Sequence, residues 1–111
     1  MTLEEIILED LAKVKATDIL VYNMKERSPF YDQMILCSVS SERQATAVIS
    51  YIKEDVEQGG YKIRSIEGAE TPWVLIDCND VIVSIFTKEE REHFALEKIY
   101  MDVPVKRMEK E

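Results

Sequence analysis

Trp73-Val74-Leu75-Ile76-Asp77-Cys78-Asn79-Asp80-Val81-Ile82-Val83-Ser84-Ile85-Phe86 is the stretch on which the fold turns. Two runs rich in β-branched and aromatic residues flank Asn79-Asp80, the signature of a tight hairpin between strands 73–78 and 81–86. With that turn, Cys78 faces Val81, Ile76 faces Val83 and Val74 faces Ile85. This face is wholly apolar and belongs under helices. The other face pairs Asp77 with Ile82, Leu75 with Ser84 and Trp73 with Phe86, so it is half apolar and half polar. Two large aromatics there either lie under another helix or form an exposed patch of the kind that marks protein contacts.

Outward from the hairpin, Tyr61 to Ile66 alternates apolar and charged residues and reads as a strand. Ser40 or Ser41 caps the helix before it, with Gln44 completing a capping box for Ser41. Ala45, Val48, Ile49, Ile52 and Val56 form its buried stripe, and Gly59-Gly60 ends it. Asp18 to Tyr22 and Met34 to Ser38 read as strands joined by a loop through Ser28-Pro29. Thr2 and Glu5 open a first helix running to about Ala16, with Leu3, Ile7, Leu11 and Val14 on one side. Downstream, Thr87 and Glu90 open a last helix running to about Ile99. The order α-β-β-α-β-β-β-α predicts a single α/β (α+β) domain over residues 1–101, with a mixed sheet of about five strands. Residues 102–111, with Pro104 and many charges, read as a loose tail.

A chain of 111 residues with 46% hydrophobic residues is long enough to bury one core without disulfide or metal staples. Its 14 basic and 22 acidic residues leave a net charge of −8. No Lys/Arg cluster offers itself to a phosphate backbone, so sequence-specific nucleic-acid binding is disfavoured. An acidic body would instead be steered toward a basic protein. The apolar run 81–86 is far too short to span a bilayer, and the acidic N-terminus does not resemble a signal peptide. A cytoplasmic protein without membrane contact is expected.

The residues that carry enzyme chemistry are sparse. His93 is the single histidine, and Cys37 and Cys78 lie far apart within predicted strands, where buried thiols are the plain reading. Gly59-Gly60 and Gly68 make no phosphate-binding fingerprint. Asp77 and Asp80 bracket the hairpin, with Glu67 and Glu70 shortly before it. Such carboxylates suit either turn chemistry or a divalent metal, and a metal needs them to converge. No cofactor and no metal are expected.

Arg64-Ser65-Ile66-Glu67-Gly68, Trp73-Val74-Leu75-Ile76-Asp77, Asp80-Val81-Ile82-Val83, and Arg91 with Leu96-Glu97-Lys98-Ile99-Tyr100 together resemble the ribosomal silencing factor family (RsfS, also called Iojap or YbeB). Ser28 to Asp32 and Ser41-x-Arg43-Gln44 are similar to its pattern as well. The resemblance covers about Leu3 to Tyr100. Asn79, Ser84, Tyr100 and Val39 stand where the family has Gly, His, Trp and Gly.

The resemblance implies a nucleotidyltransferase-like topology without catalytic acids. It also implies a protein that is a homodimer when free and binds protein L-fourteen of the large ribosomal subunit. Small-subunit joining would then be blocked by occlusion, without catalysis. The mixed hairpin face and the resemblance select Trp73, Leu75, Asp77, Asp80, Ile82, Ser84, Glu67 and Tyr100 as partner-binding residues, with Trp73 a surface anchor whose loss spares the fold. Two readings stay open beside this one: a degenerate nucleotidyltransferase-like enzyme using Asp77, Asp80 and a metal, and a purely structural dimerising domain.

Overall fold

The computed structural model describes residues 1–94, 98 and 100–108. Helix α1 (Leu3–Lys13) leads into strands β1 (Thr17–Asn23) and β2 (Gln33–Val39), then helix α2 (Glu42–Gln58). Strands β3 (Ser65–Glu67), β4 (Trp73–Asp77) and β5 (Val81–Thr87), helix α3 (Lys88–Phe94) and strand β6 (Val105–Arg107) follow. The six strands form one mixed sheet in the order β3-β4-β5-β2-β1-β6. Among the described residues, only β2 and β5 pair in parallel. The long connection between them, with α2 inside it, makes that pairing possible.

Local chemistry sets the element ends. Thr2 Oγ1 accepts from the Glu5 N–H at 3.2 Å, and Glu5 Oε1 accepts from the Thr2 N–H at 2.8 Å, a complete capping box. At α2, Ser41 Oγ accepts from the Gln44 N–H, but the Gln44 side chain turns to the Ser40 N–H at 2.6 Å. α1 stops three residues before Ala16 because Lys15 takes φ +56° and the Ala16 N–H returns to the Leu11 carbonyl at 3.0 Å. This is a Schellman turn with lysine where glycine is usual, so nothing in the sequence marked it.

α1 and α2 cover one sheet face. Ile7, Leu11, Val48 and Ile52 pack there on Ile35, Val74, Ile76, Val83 and Ile85 in one buried cluster, as the hairpin pattern required. The hairpin register is the predicted one at all five pairs, from Trp73 opposite Phe86 to Asp77 opposite Ile82. Asn79 carries φ +70° at its tip, a conformation Asn tolerates.

Two expectations are corrected. The strand expected over Tyr61 to Ile66 shortens to Ser65–Glu67, because Ser65 already lies opposite Asp77 and β4 turns away beyond it. The tail expected over 102–111 contains β6, which pairs antiparallel to β1 and makes the sheet six-stranded. Lys106 Nζ lies 2.6 Å from Glu4 Oε2, and the Met108 N–H donates to the Ile19 carbonyl at 2.9 Å. Charges and a leading proline are what an edge strand carries, and they also look like a solvated tail. The last helix begins after Thr87, whose Oγ1 accepts from the Glu90 N–H at 3.3 Å. Its expected continuation to Ile99 falls partly outside the described residues. Among the described residues, no helix is long and apolar enough to cross a membrane.

Between α1 and α2, Asp10 is 1% exposed. Lys13 Nζ reaches its Oδ1 at 3.1 Å and Asp55 Oδ2 at 3.2 Å. Asp10 Oδ2 has no hydrogen-bond donor among the described residues, which leaves it for a retained proton. Burial first, then the Asp55 carboxylate beside it, pushes the Asp10 carboxyl up to about 6 against the pull of Lys13. The folded chain therefore holds this proton more tightly than the unfolded one. The stabilisation is present at low pH and is lost as pH rises through about 6. Asp55, depressed by its contacts with Asp10 and Lys13, opposes this only at lower pH. Thermal melts should show Tm rising on acidification from pH 7.5 to 5, by roughly 5 °C for a gain of about 1 kcal/mol. Asp10→Asn should flatten that rise; a Tm that falls over this range in the parent would contradict the assignment.

Candidate functional site

The second sheet face is covered unevenly. Across β5, β2 and β1, Phe86, Leu36, Leu20, Tyr22 and Met34 are buried with Val103 in a second cluster. α3 and the segment 100–103 close over this part. Arg91 on α3 is itself buried, and its Nη1 donates to the Asp18 carbonyl at 2.6 Å and to Ser38 Oγ at 2.9 Å, fastening α3 across β1 and β2. Toward β4 the burial gives out. Trp73, Leu75 and Asp77, on alternate positions of β4, are all only partly buried, and Glu67 beside Leu75 on β3 is exposed.

Trp73 is not a free surface anchor. Its ring stacks on Phe86, with centroids 5.0 Å apart and planes 17° apart. Phe86 is 1% exposed, so one side of the indole rests on the core. Leu75 continues the strip, and Asp77 ends it. Asp77 Oδ1 accepts from the Asn79 N–H at 2.9 Å, and Oδ2 lies 4.0 Å from Arg64 Nε. Asp77 thus serves the turn and one surface ion pair. Asp80 stands exposed at the tip, where its carbonyl accepts from the Asp32 and Gln33 N–H groups at 2.8 and 3.1 Å.

The eight residues selected on sequence do not form one site. Ile82 is 8% exposed and Ser84 0%, and the Ser84 hydroxyl donates to Met34 Sδ at 3.6 Å. Both side chains are sealed in the free chain and lie beside the strip, on the neighbouring strand β5. Tyr100 packs on Tyr22, with ring centroids 5.3 Å apart. Tyr22 pairs with Met34, Met34 with Ile82, and Ile82 with Asp77, so Tyr100 sits toward the Asp77 end of the face, over β1. Trp73 lies at the other end of β4. Three strand spacings and four residues along the strand separate their positions, roughly 19 Å on the diagonal.

Sequence reading missed what surrounds Tyr100. Phe30 is 79% exposed and Met101 82%. Arg27 Nη1 meets Asp102 Oδ1 at 2.7 Å, joining the 24–32 loop to the 100–103 turn. Burial, then Tyr100, holds the Tyr31 hydroxyl above the usual phenol range. A phenylalanine inside a Ser-Pro loop was the available signal for this second patch.

The groups weighed for chemistry are occupied otherwise. Burial pushes the Cys37 thiol up to about 12; burial and then Asp77 push Cys78 up to about 11, away from thiolate chemistry. Among the described residues, no group of three or more His, Cys, Asp or Glu is placed to hold a metal ion.

The fold is shared with known proteins. The model of the family described as "Ribosomal silencing factor during starvation" (RsfS) matches residues 2–111. The chain belongs to the ribosomal silencing factor family. It is 36% identical over 92 residues to the ribosomal silencing factor RsfS of Bacillus subtilis, covering 82% of this chain and 78% of that one. To the RsfS of Halalkalibacterium halodurans it is 38% identical over 96 residues, covering 86% and 82%. A crystal structure from Bacillus halodurans superposes with a TM-score of 0.83 at 33% identity, covering 96% of this chain and 97% of that one. The RsfS match runs through β6, in keeping with a C-terminal segment that is part of the sheet.

Replacing Trp73 with Ala should cost stability as well as binding, because the Phe86 ring loses its cover. The expected loss is about 1–2 kcal/mol. Trp73→Phe, which keeps an aromatic on Phe86, should lose less than half of that. Chemical denaturation of the three proteins decides it: a Trp73→Ala protein as stable as the parent would mean that the stacking contributes nothing to the fold.

Proposed function

We propose that this protein docks on the large ribosomal subunit through protein L-fourteen and blocks small-subunit joining by occlusion, without catalysis. The observation that carries the reading is the half-covered Trp73–Leu75 strip at the place where the second sheet face loses its cover. A stacked indole with apolar neighbours and a polar rim has the make-up of an interface core. Glu67 and Asp80 supply exposed carboxylates near it, and the chain's charge of −8 suits a basic partner. The ribosomal connection itself comes from the family. A cytoplasmic protein that is a homodimer when free completes the proposal; the exposed Phe30 and Met101 near Tyr100 offer a second apolar patch for such contacts.

Co-sedimentation with purified large subunits is the direct test. The parent should migrate with them, and addition of small subunits should yield fewer joined ribosomes. Trp73→Ala should weaken docking by roughly thirtyfold, the effect of an anchor worth ~2 kcal/mol. Binding to large subunits that Trp73→Ala leaves intact would move the docking site elsewhere on the molecule.

Ionic strength gives a second check. Association should slow as salt rises, because the screening length falls from ~10 Å at 0.1 M to ~3 Å at 1 M. Dissociation, governed by the apolar strip, should change less. Glu67→Gln with Asp80→Asn should lower the on-rate and flatten its salt dependence in stopped-flow measurements. An on-rate indifferent to salt would leave docking to the apolar strip alone.

A further inference from the structure

Trp73 opens β4, where a strand is least constrained, yet its ring is held flat on Phe86. The chain reaches it through the turn 68–72, which is organised around one hydroxyl. Thr71 Oγ1 donates to the Gly68 carbonyl at 2.6 Å and accepts from the Trp73 N–H at 3.3 Å; the Trp73 carbonyl oxygen lies 3.0 Å away on the same side. The Thr71 N–H also donates to the Gly68 carbonyl, at 3.0 Å. Gly68 has φ +77°, and a Cβ on it would lie 2.1 Å from the Trp73 carbonyl oxygen. Only glycine lets the backbone pass so close in that conformation. On the far side, the Thr87 N–H donates to the Pro72 carbonyl at 2.9 Å, tying the segment to the end of β5.

We propose that Gly68 and Thr71 are positioning residues for Trp73. The Thr71 hydroxyl, closed over Gly68, fixes the Trp73 backbone so that the indole is stacked before any partner arrives. Ordering a side chain during association costs affinity, and a ring already in place avoids that cost. The functional half of this inference rests on the reading of Trp73 as the docking anchor.

Trp73 is the only tryptophan, so its fluorescence reports on the ring in the free protein. Thr71→Val removes the hydroxyl at nearly constant shape, and Thr71→Ser returns it. Measured well below the melting midpoints, Thr71→Val should shift the emission to longer wavelength, lower its anisotropy and weaken co-sedimentation with large subunits roughly tenfold. Thr71→Ser should restore all three. Gly68→Ala should act in the same direction, with a larger loss of stability. Unchanged emission in Thr71→Val overturns the proposal, as does a docking loss that Thr71→Ser fails to restore. A shifted emission with parental docking also overturns it if Trp73→Ala still loses docking. If Trp73→Ala docks like the parent too, the emission shift upholds positioning, and the reading of Trp73 as anchor is what falls.

Discussion

The parallel pairing of β2 with β5 joins two hairpin-like units into one sheet, and the rest of the molecule follows from how that central pair is kept dry. Every residue of β2 after Gln33 and every residue of β5 before Thr87 is buried, so both faces need cover at the centre. α1 and α2 supply it on one side. On the other, α3 leaves β5 without a loop and is pinned back across the sheet by Arg91. Among the described residues, α3 covers β5 and β2, and β4 is only partly dry. The Trp73–Leu75 strip is where, among these residues, the cover of the second face thins.

The face-by-face pattern of the hairpin was legible because a two-residue turn with period-2 side chains admits one register. What could not be read was which residues of the mixed face see solvent. Leu75 and Ser84 are direct neighbours across the hairpin, yet the leucine is half-covered and the serine sealed. The difference lies in the neighbours: Ser84 has the full-length β2 beside it, with Met34 taking its hydroxyl, while Leu75 has only the three-residue β3 on its outer side. Polarity was a poor guide at both positions. The Ser84 hydroxyl is spent on the Met34 thioether, and the Leu75 side chain stays half-covered between β3 and β5.

The electrostatics divide in a similar way. Net charge is readable as a sum, but the structure commits many charges locally. Lys106 holds β6 against α1 through Glu4, Arg27 holds a loop through Asp102, and Lys13 stands between Asp10 and Asp55. Each pair is partly exposed and so contributes modestly to stability, while fixing which segments lie together. Lys106 illustrates why β6 escaped sequence reading. Its ladder is only three residues long, and its side-chain partner is 102 residues away in the chain.

A sheet edge that presents a large aromatic faces two opposed demands. Left free, the indole would lose rotamer freedom on docking; fully buried, it would offer no area to a partner. Stacking the ring on Phe86 meets both, because the core holds the ring while part of the residue stays at the surface. The same arrangement explains why the face cannot be assembled from contact residues alone. Phe86, Ile82 and Ser84 are buried, yet they flank the strip along β5, and Phe86 carries the stacked indole. Substitutions at these three positions should therefore shift the strip through packing, as those in the 68–72 turn would shift it through the backbone. For a strip proposed to meet a partner, the buried residues that hold it are as much a part of the site as the exposed ones.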